Sequence, residues 1–431
     1  MQGIIAFILI FFVVVTVHEF GHFLLAKRAG ILCQEFSIGM GPKIFHKKIG
    51  ETNFTIRLLP LGGFVKMPDN VFDFNNEVSP YDLKKGMQLS LKLDENDNVE
   101  KIILDKTNDV DLLPIELNEF DLNDKLFIEG FVGSDLERYI VRKDACVVFG
   151  GMEEQIAPLD RMFSAHTAWQ KFWTLFAGPL MNFILAALIF IGMSVYSGVP
   201  DGSSKVGHIE QSYPAYSAGM RDGDIITEIN GVKVSTWSEM STNIVKSNGS
   251  ELTVKVDRNG KEETLKITPK EETTVNKKGE EVKTYKLGIA QNLKHDFLGA
   301  IKYGLEQTLY FATTIFMAII GLFVSIFKGS FSLNQLGGPV AIYEVSNAAA
   351  QSGIYSVLRW TGMLSVNLGL MNLIPIPVLD GGRIIFVAYE GIFGKPINKK
   401  AQYYATIIFG GLLLLLMLAV TWNDIQRLFG K

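Results

Sequence analysis

Val13-Val14-Val15-Thr16-Val17-His18-Glu19-Phe20-Gly21-His22-Phe23-Leu24-Leu25 decides how this chain is read. It lies inside an apolar run from Ile4 to about Ala26. On an α-helix, positions i and i+4 share one face, a turn apart. Two imidazoles at that spacing can grip one Zn²⁺, and the Glu that follows the first is placed to act as general base. A chance match is the plain alternative. It is disfavoured because two of the six histidines fall here, and because charge at bilayer depth is costly and marks function.

The first Lys is Lys27, and no small-x-small cleavage site follows the apolar run, so a retained transmembrane helix over 1–28 is expected rather than a signal peptide. The chain has 431 residues, 48% of them hydrophobic, with mean hydropathy +0.22. That balance fits mixed membrane and aqueous domains. A net charge of −4 argues against a nucleic-acid binder. Two cysteines, Cys33 and Cys146, make no disulfide framework.

Further spans are expected over 172–196, 356–382 and 402–422. The stretch 295–330 is apolar in its second half but carries Lys302, Glu306 and Gln307, which suits an amphipathic helix on the membrane. Residues 33–67 read as a membrane-associated β-hairpin, with Phe54–Leu59 β-rich and glycines punctuating it. Residues 69–158 read as a soluble acidic insertion of α+β type, to which no chemistry is assigned. The fold class expected is therefore a multi-pass α-helical membrane protein with four transmembrane helices, a membrane-associated β region and soluble modules.

A catalytic zinc site usually has three protein ligands. The best third candidate is Asp380, in Asn372-Leu373-Ile374-Pro375-Ile376-Pro377-Val378-Leu379-Asp380-Gly381-Gly382. Pro375 and Pro377 stop a regular helix, and such a break at membrane depth survives only against protein or a cavity. An anion there calls for a cation. The plain alternative is a polar cap at the interface.

The stretch 200–270 resembles a PDZ domain of the bacterial processing-protease kind. The residues that carry this are Tyr213-Pro214-Ala215, Ala218-Gly219-Met220, Asp222-Gly223-Asp224-Ile225-Ile226 and Ile229-Asn230-Gly231. PDZ domains take extended peptides or C-termini by strand addition. A module that only blocks access is the alternative.

Taken together, His18-Glu19-x-x-His22, Gly39 and Gly41, Gly178-Pro179-x-x-Asn182, one PDZ domain, Gly337-Gly338-Pro339 and Leu379-Asp380-Gly381 resemble the site-2 protease family of intramembrane metalloproteases. The resemblance covers nearly the whole chain. It implies Zn²⁺ held by His18, His22 and Asp380, Glu19 as catalytic base, and substrate-orienting or transition-state roles for Asn367 and Asn372. It also implies single-pass membrane proteins as substrates, with anti-sigma factors and remnant signal peptides as the leading classes. The single PDZ domain and the 69–158 insertion differ from the best-known Gram-negative type and suit Gram-positive members.

For one metal to meet all three ligands, the first and third spans must run parallel, so 295–330 should make no net crossing. Lys27, Arg28, Lys43, Lys47, Lys48 and Arg57 after the first span, with Arg383, Lys395, Lys399 and Lys400 after the third, place this face in the cytoplasm by the positive-inside rule. The PDZ domain then falls outside, in a bacterial cell membrane. Two other functions compete: a catalytically inactive scaffold that holds partners through its PDZ domain, and a zinc-dependent transporter. The intact Glu19 opposes the first, and the lack of further polar residues through several spans opposes the second.

Overall fold

A computed structural model describes residues 2–68, 83–105, 111–150, 152–275 and 281–429. The start of the expected insertion, 69–82, lies outside them. The chain divides into two compact units: residues 1–186 with 322–431, and residues 187–321.

The first unit begins with α1 (Gln2–Ala29), which buries Val14, His18, Gly21 and His22 on one face. The hairpin of β1 (Glu35–Ile49) and β2 (Thr52–Lys66) follows. Strand β2 folds back on itself. Ile38 of β1 pairs both with Ile56 and with Gly63, so the first part of β1 is flanked by both halves of β2. The 63–66 segment becomes the fourth, outer strand of this ribbon, beyond 45–49, 52–57 and 35–38.

Next come β3 (Gln88–Leu93), β4 (Val99–Ile103), β5 (Leu113–Asp121), β6 (Phe127–Val132), β7 (Asp135–Phe149) and β8 (Met152–Gln155). Their order is β4-β3-β5-β6-β7-β8, and β4 also pairs in parallel with β7. That pairing closes β3 to β7 into a small barrel around Leu91, Ile102, Ile115, Leu117 and Ile128. Among the described residues the elements of the insertion are thus all strands, not α+β. Closure rests on contacts between strands distant in sequence, which local alternation does not reveal. Strand β8 is latched to the hairpin through Lys66–Glu154 at 2.6 Å and Lys48–Glu153 at 3.3 Å.

The chain then enters α2 (Ala168–Ser197), which carries Pro179. It runs antiparallel to α1. A Cβ on Gly21 would stand 2.3 Å from the Ala177 carbonyl, and Asn182 meets His18 further along. Small residues are what lets two helix backbones approach this closely.

The second unit holds β9 (Val199–Pro200), β10 (Val206–Ile209), α3 (Pro214–Ser217), β11 (Ile225–Ile229), β12 (Val232–Lys233), α4 (Trp237–Lys246), β13 (Leu252–Arg258) and β14 (Lys261–Ile267). Asn230 and Gly231 have φ of 51° and 81°, the paired positive values of a type I′ turn between β11 and β12. The module continues beyond residue 270 through β15 (Lys270–Val275), β16 (Glu281–Lys286), β17 (Ile289–Gln291) and β18 (Leu293–Lys294). Strand β17 returns to pair with β10, so the expected boundary at 270 is too early. That closing strand is three residues long, too short to announce itself in a polar stretch.

The helices α5 (Phe297–Phe327), α6 (Pro339–Gln351), α7 (Ile354–Asn372), α8 (Asp380–Phe393) and α9 (Lys399–Phe429) complete the chain. Among the described residues four helices are long and apolar enough to cross a membrane: α1, α2, α5 and α9. The count agrees with expectation but the membership does not. By length and composition α5 is among them, while the expected span over 356–382 is here α7, an irregular turn and the start of α8. Helix α7 buries Thr361, Ser365 and Gly369 against protein, so it can carry polar residues that a lipid-facing helix cannot.

Helix α6 runs antiparallel to α1: Gly3 abuts Asn347, and the Phe7 and Tyr343 rings meet at 6.0 Å. Helix α7 turns back at Gly353 and ends with Asn372 beside His18, so it runs parallel to α1. The Asp424 carboxylate of α9 accepts from Gly338 and Ala341 N–H at 2.9 and 3.2 Å, capping α6.

Candidate metal centre

His18 and His22 project from α1 toward α2 and the start of α8. His22 Nδ1 donates to the Thr174 carbonyl at 2.8 Å, which leaves Nε2 as an acceptor. Asn182 lies 3.1 Å from His18 Nδ1. With its nitrogen turned to the ring, Asn182 Oδ1 is buried without a partner. Turning the amide over lets Oδ1 accept from Nδ1–H and satisfies both groups. Each imidazole is thereby held with Nε2 free to bind, as outer partners do for metal-ligating histidines.

Asp380 opens α8 directly after the Pro375–Pro377 break, where the helix dipole favours an anion. Its Oδ2 lies 3.2 Å from His18 Nε2 and 3.3 Å from His22 Nε2, and the two Nε2 atoms are 3.2 Å apart. Asp380 Oδ2 is buried with no hydrogen-bond donor. Two imidazole nitrogens and one carboxylate oxygen thus converge on one point, a cluster that a shared cation would satisfy. The spacing is diagnostic: ligand atoms at ordinary zinc bond lengths on a tetrahedron lie about 3.3 Å apart. The donor set of two imidazoles and a carboxylate suits Zn²⁺.

The centre opens into a cavity of about 580 Å³. Glu19 lines it, as do Asn372, Arg383 and the outer strand of the ribbon from Gly63 to Lys66. Gly63 approaches Glu19 so closely that a Cβ there would lie 2.8 Å from Glu19 Cγ. Gly178 packs on the imidazoles, where a Cβ would lie 2.2 Å from His22 Nε2. Asn372 Nδ2 is 3.3 Å from His18 Nε2. Asn367, one turn and more earlier on α7, is not among the residues that line the cavity.

His18, Glu19, His22, Asn372 and Asp380 are thus brought together. Sequence reasoning gave no role to Thr174, which acts through a backbone carbonyl and leaves no residue-type signal. Asn182 is legible in the sequence only as part of the Gly178-Pro179-x-x-Asn182 motif. Arg383 entered only as a basic residue marking a membrane face, but it lies in the cavity wall.

The chain belongs to peptidase family M50, whose family model matches residues 6–418. Among its relatives, a Staphylococcus aureus (strain N315) protein provisionally named a zinc metalloprotease is 46% identical over 99% of this chain and 98% of its own length. The zinc metalloprotease RasP of Geobacillus kaustophilus is 41% identical over 100% of this chain and 99% of its own. That of Oceanobacillus iheyensis is 40% identical over 100% of both.

Proposed function

We propose that this zinc metalloprotease hydrolyses peptide bonds in or beside the membrane-spanning segments of single-pass membrane proteins, with His18, His22 and Asp380 as zinc ligands and Glu19 as general base. The observation that carries the reading is the triangle of Nε2, Nε2 and Oδ2 atoms with edges of 3.2, 3.2 and 3.3 Å. When bound, Zn²⁺ supplies Lewis acidity toward a carbonyl and lowers the pKa of water. Glu19 takes the proton of the attacking water and passes it to the leaving amine. The Asn372 amide, at the rim of the same cavity, is placed to hold the scissile peptide. A helical substrate hides its carbonyls, so it must unwind. The Gly63–Lys66 strand, which lines the cavity, offers backbone groups to receive it as an added strand.

Several features support a membrane setting with the centre on the cytoplasmic side. Exposed Ile44, Phe45, Leu58 and Leu59 on the β1–β2 hairpin suit contact with lipid. Lys27 and Arg28 end α1 on the side of the histidines. Helix α2 carries the chain toward the N-terminal end of α1, and the segment that follows α5 is held at Asn334 by Asn423 and Arg427, near the C-terminal end of α9. These contacts support the reading that α5 makes no net crossing, despite its length. The second unit, of PDZ type, then lies outside. A groove of about 520 Å³ beside α4 and β17 is its candidate site for a peptide C-terminus. Anti-sigma factors and remnant signal peptides remain the substrate classes of choice.

The test is to incubate the detergent-solubilised enzyme with a panel of single-pass segments, with and without a zinc chelator, and to map cuts by mass spectrometry. Chelator-sensitive cuts inside or at the edge of the segments are expected. Cuts insensitive to the chelator, or confined to soluble regions, contradict the proposal.

A further inference from the structure

A second buried charge pair stands on the helices that frame the metal centre. Lys171 Nζ lies 2.8 Å from Glu390 Oε1, with the side chains 5% and 23% exposed. Lys171 is in the first turn of α2 and Glu390 in the last turn of α8. Beside them Gly391 meets Ala168, where an added Cβ would lie 3.3 Å from the alanine methyl. One to two turns further along α2, Thr174 and Gly178 contact His22, and Asp380 at the opposite end of α8 meets that imidazole. The first turns of α2 and the whole of α8 are therefore antiparallel, with α8 clamped by charge at its C-terminal end and by the ligand cluster at its N-terminal end.

Helix α8 needs such a clamp. It emerges from the turn that holds Pro375 and Pro377, so no continuous helix upstream fixes its direction. Ten residues separate Asp380 from Glu390, a lever of about 15 Å. A small swing at the far end becomes a loss of contact at the near end. The ammonium of Lys171 is nearly excluded from solvent, so leaving it unpaired is costly, and the pair holds a defined geometry.

We propose that Lys171 and Glu390 are positioning residues that hold α8 in the register against α2 at which Asp380 completes the zinc site, and so set zinc affinity. The inference rests on His18, His22 and Asp380 being the ligands. The full-length protein in detergent is titrated with Zn²⁺ against a chromophoric chelator, and the visible spectrum of its Co²⁺ form is recorded. The variants are Lys171→Met, Glu390→Gln, the charge-swapped double variant Lys171→Glu/Glu390→Lys, and Asp380→Asn. Each single variant is expected to bind zinc about tenfold or more weakly, in the range of outer-shell losses, with an altered cobalt spectrum. The swapped pair recovers most of that loss. Wild-type affinity in both single variants, with zinc lost in Asp380→Asn, overturns the positioning role and leaves the ligand assignment standing. Wild-type affinity in Asp380→Asn overturns the ligand assignment itself. Should the single variants not fold, the swapped protein decides: a wild-type cobalt spectrum supports the role, and a swapped protein as impaired as Asp380→Asn rejects it.

Discussion

Asn182 on α2 holds the Nδ1 side of His18 at 3.1 Å, across 164 residues of sequence. Removing the amide, as in Asn182→Leu, frees the ring to rotate and to choose the wrong tautomer. Zinc affinity is expected to fall about ten- to hundredfold. Asn182→Asp, which keeps an acceptor, loses less. Competition titration with a chelator measures both, and equal affinities for all three proteins show that the ring is oriented by something else.

Glu19 lines the cavity without belonging to the ligand triangle. Glu19→Gln is therefore expected to keep its zinc and to lose peptide cleavage by about 10²- to 10⁴-fold, the span of general-base effects. Metal content and single-turnover cleavage of one mapped segment separate the two. Loss of zinc together with activity contradicts the assignment.

Two glycines separate metal binding from substrate handling. A Cβ at position 178 collides with His22 Nε2, and one at position 63 collides with Glu19 and the Ser37 carbonyl. Gly178→Ala is expected to cost zinc. Gly63→Ala leaves zinc in place and lowers cleavage by displacing Glu19 or the edge strand. The reverse pattern would show that the roles of these contacts are misassigned.

In the second unit, Asp224 is 1% exposed. Burial alone would raise its pKa, but two hydrogen bonds from Arg258 at 2.8 and 2.7 Å, with one from Arg221 N–H at 2.9 Å, hold it below the ordinary carboxylate value. A lowered folded-state pKa gives stability that is complete above the unfolded value and is lost as pH falls through the folded one. Asp224→Asn should destabilise this unit by about 1–3 kcal/mol at neutral pH, because Arg258 keeps Glu263 and the Gly219 carbonyl but loses its buried carboxylate partner. The gap to wild type should close in strong acid. Hydrogen exchange of residues 206–267 in the full chain reads both, and a gap that widens in acid is the contrary result.

What could be read in advance follows from the range of the forces involved. The helical spacing of His18 and His22 is local, and Asp380 stands out because two prolines break a helix where lipid forbids a break. The type I′ turn at Asn230-Gly231 is equally local. Barrel closure through β4 and β7, the pairing of β17 with β10 and the Thr174 carbonyl depend on distant backbone and left no such trace. Helix α7 is the instructive case: Thr361 and Ser365 are buried against protein, so its hydropathy is lower than that of α5, whose second half is strongly apolar.

X-ray absorption at the zinc edge of the purified, zinc-loaded protein tests the convergence of His18, His22 and Asp380 most directly. Two imidazole nitrogens and light oxygen scatterers at about 2.0–2.2 Å are expected, with the oxygen contribution reduced in Asp380→Asn. A spectrum with sulfur ligands, or one unchanged by replacing Asp380 and either histidine, contradicts the account.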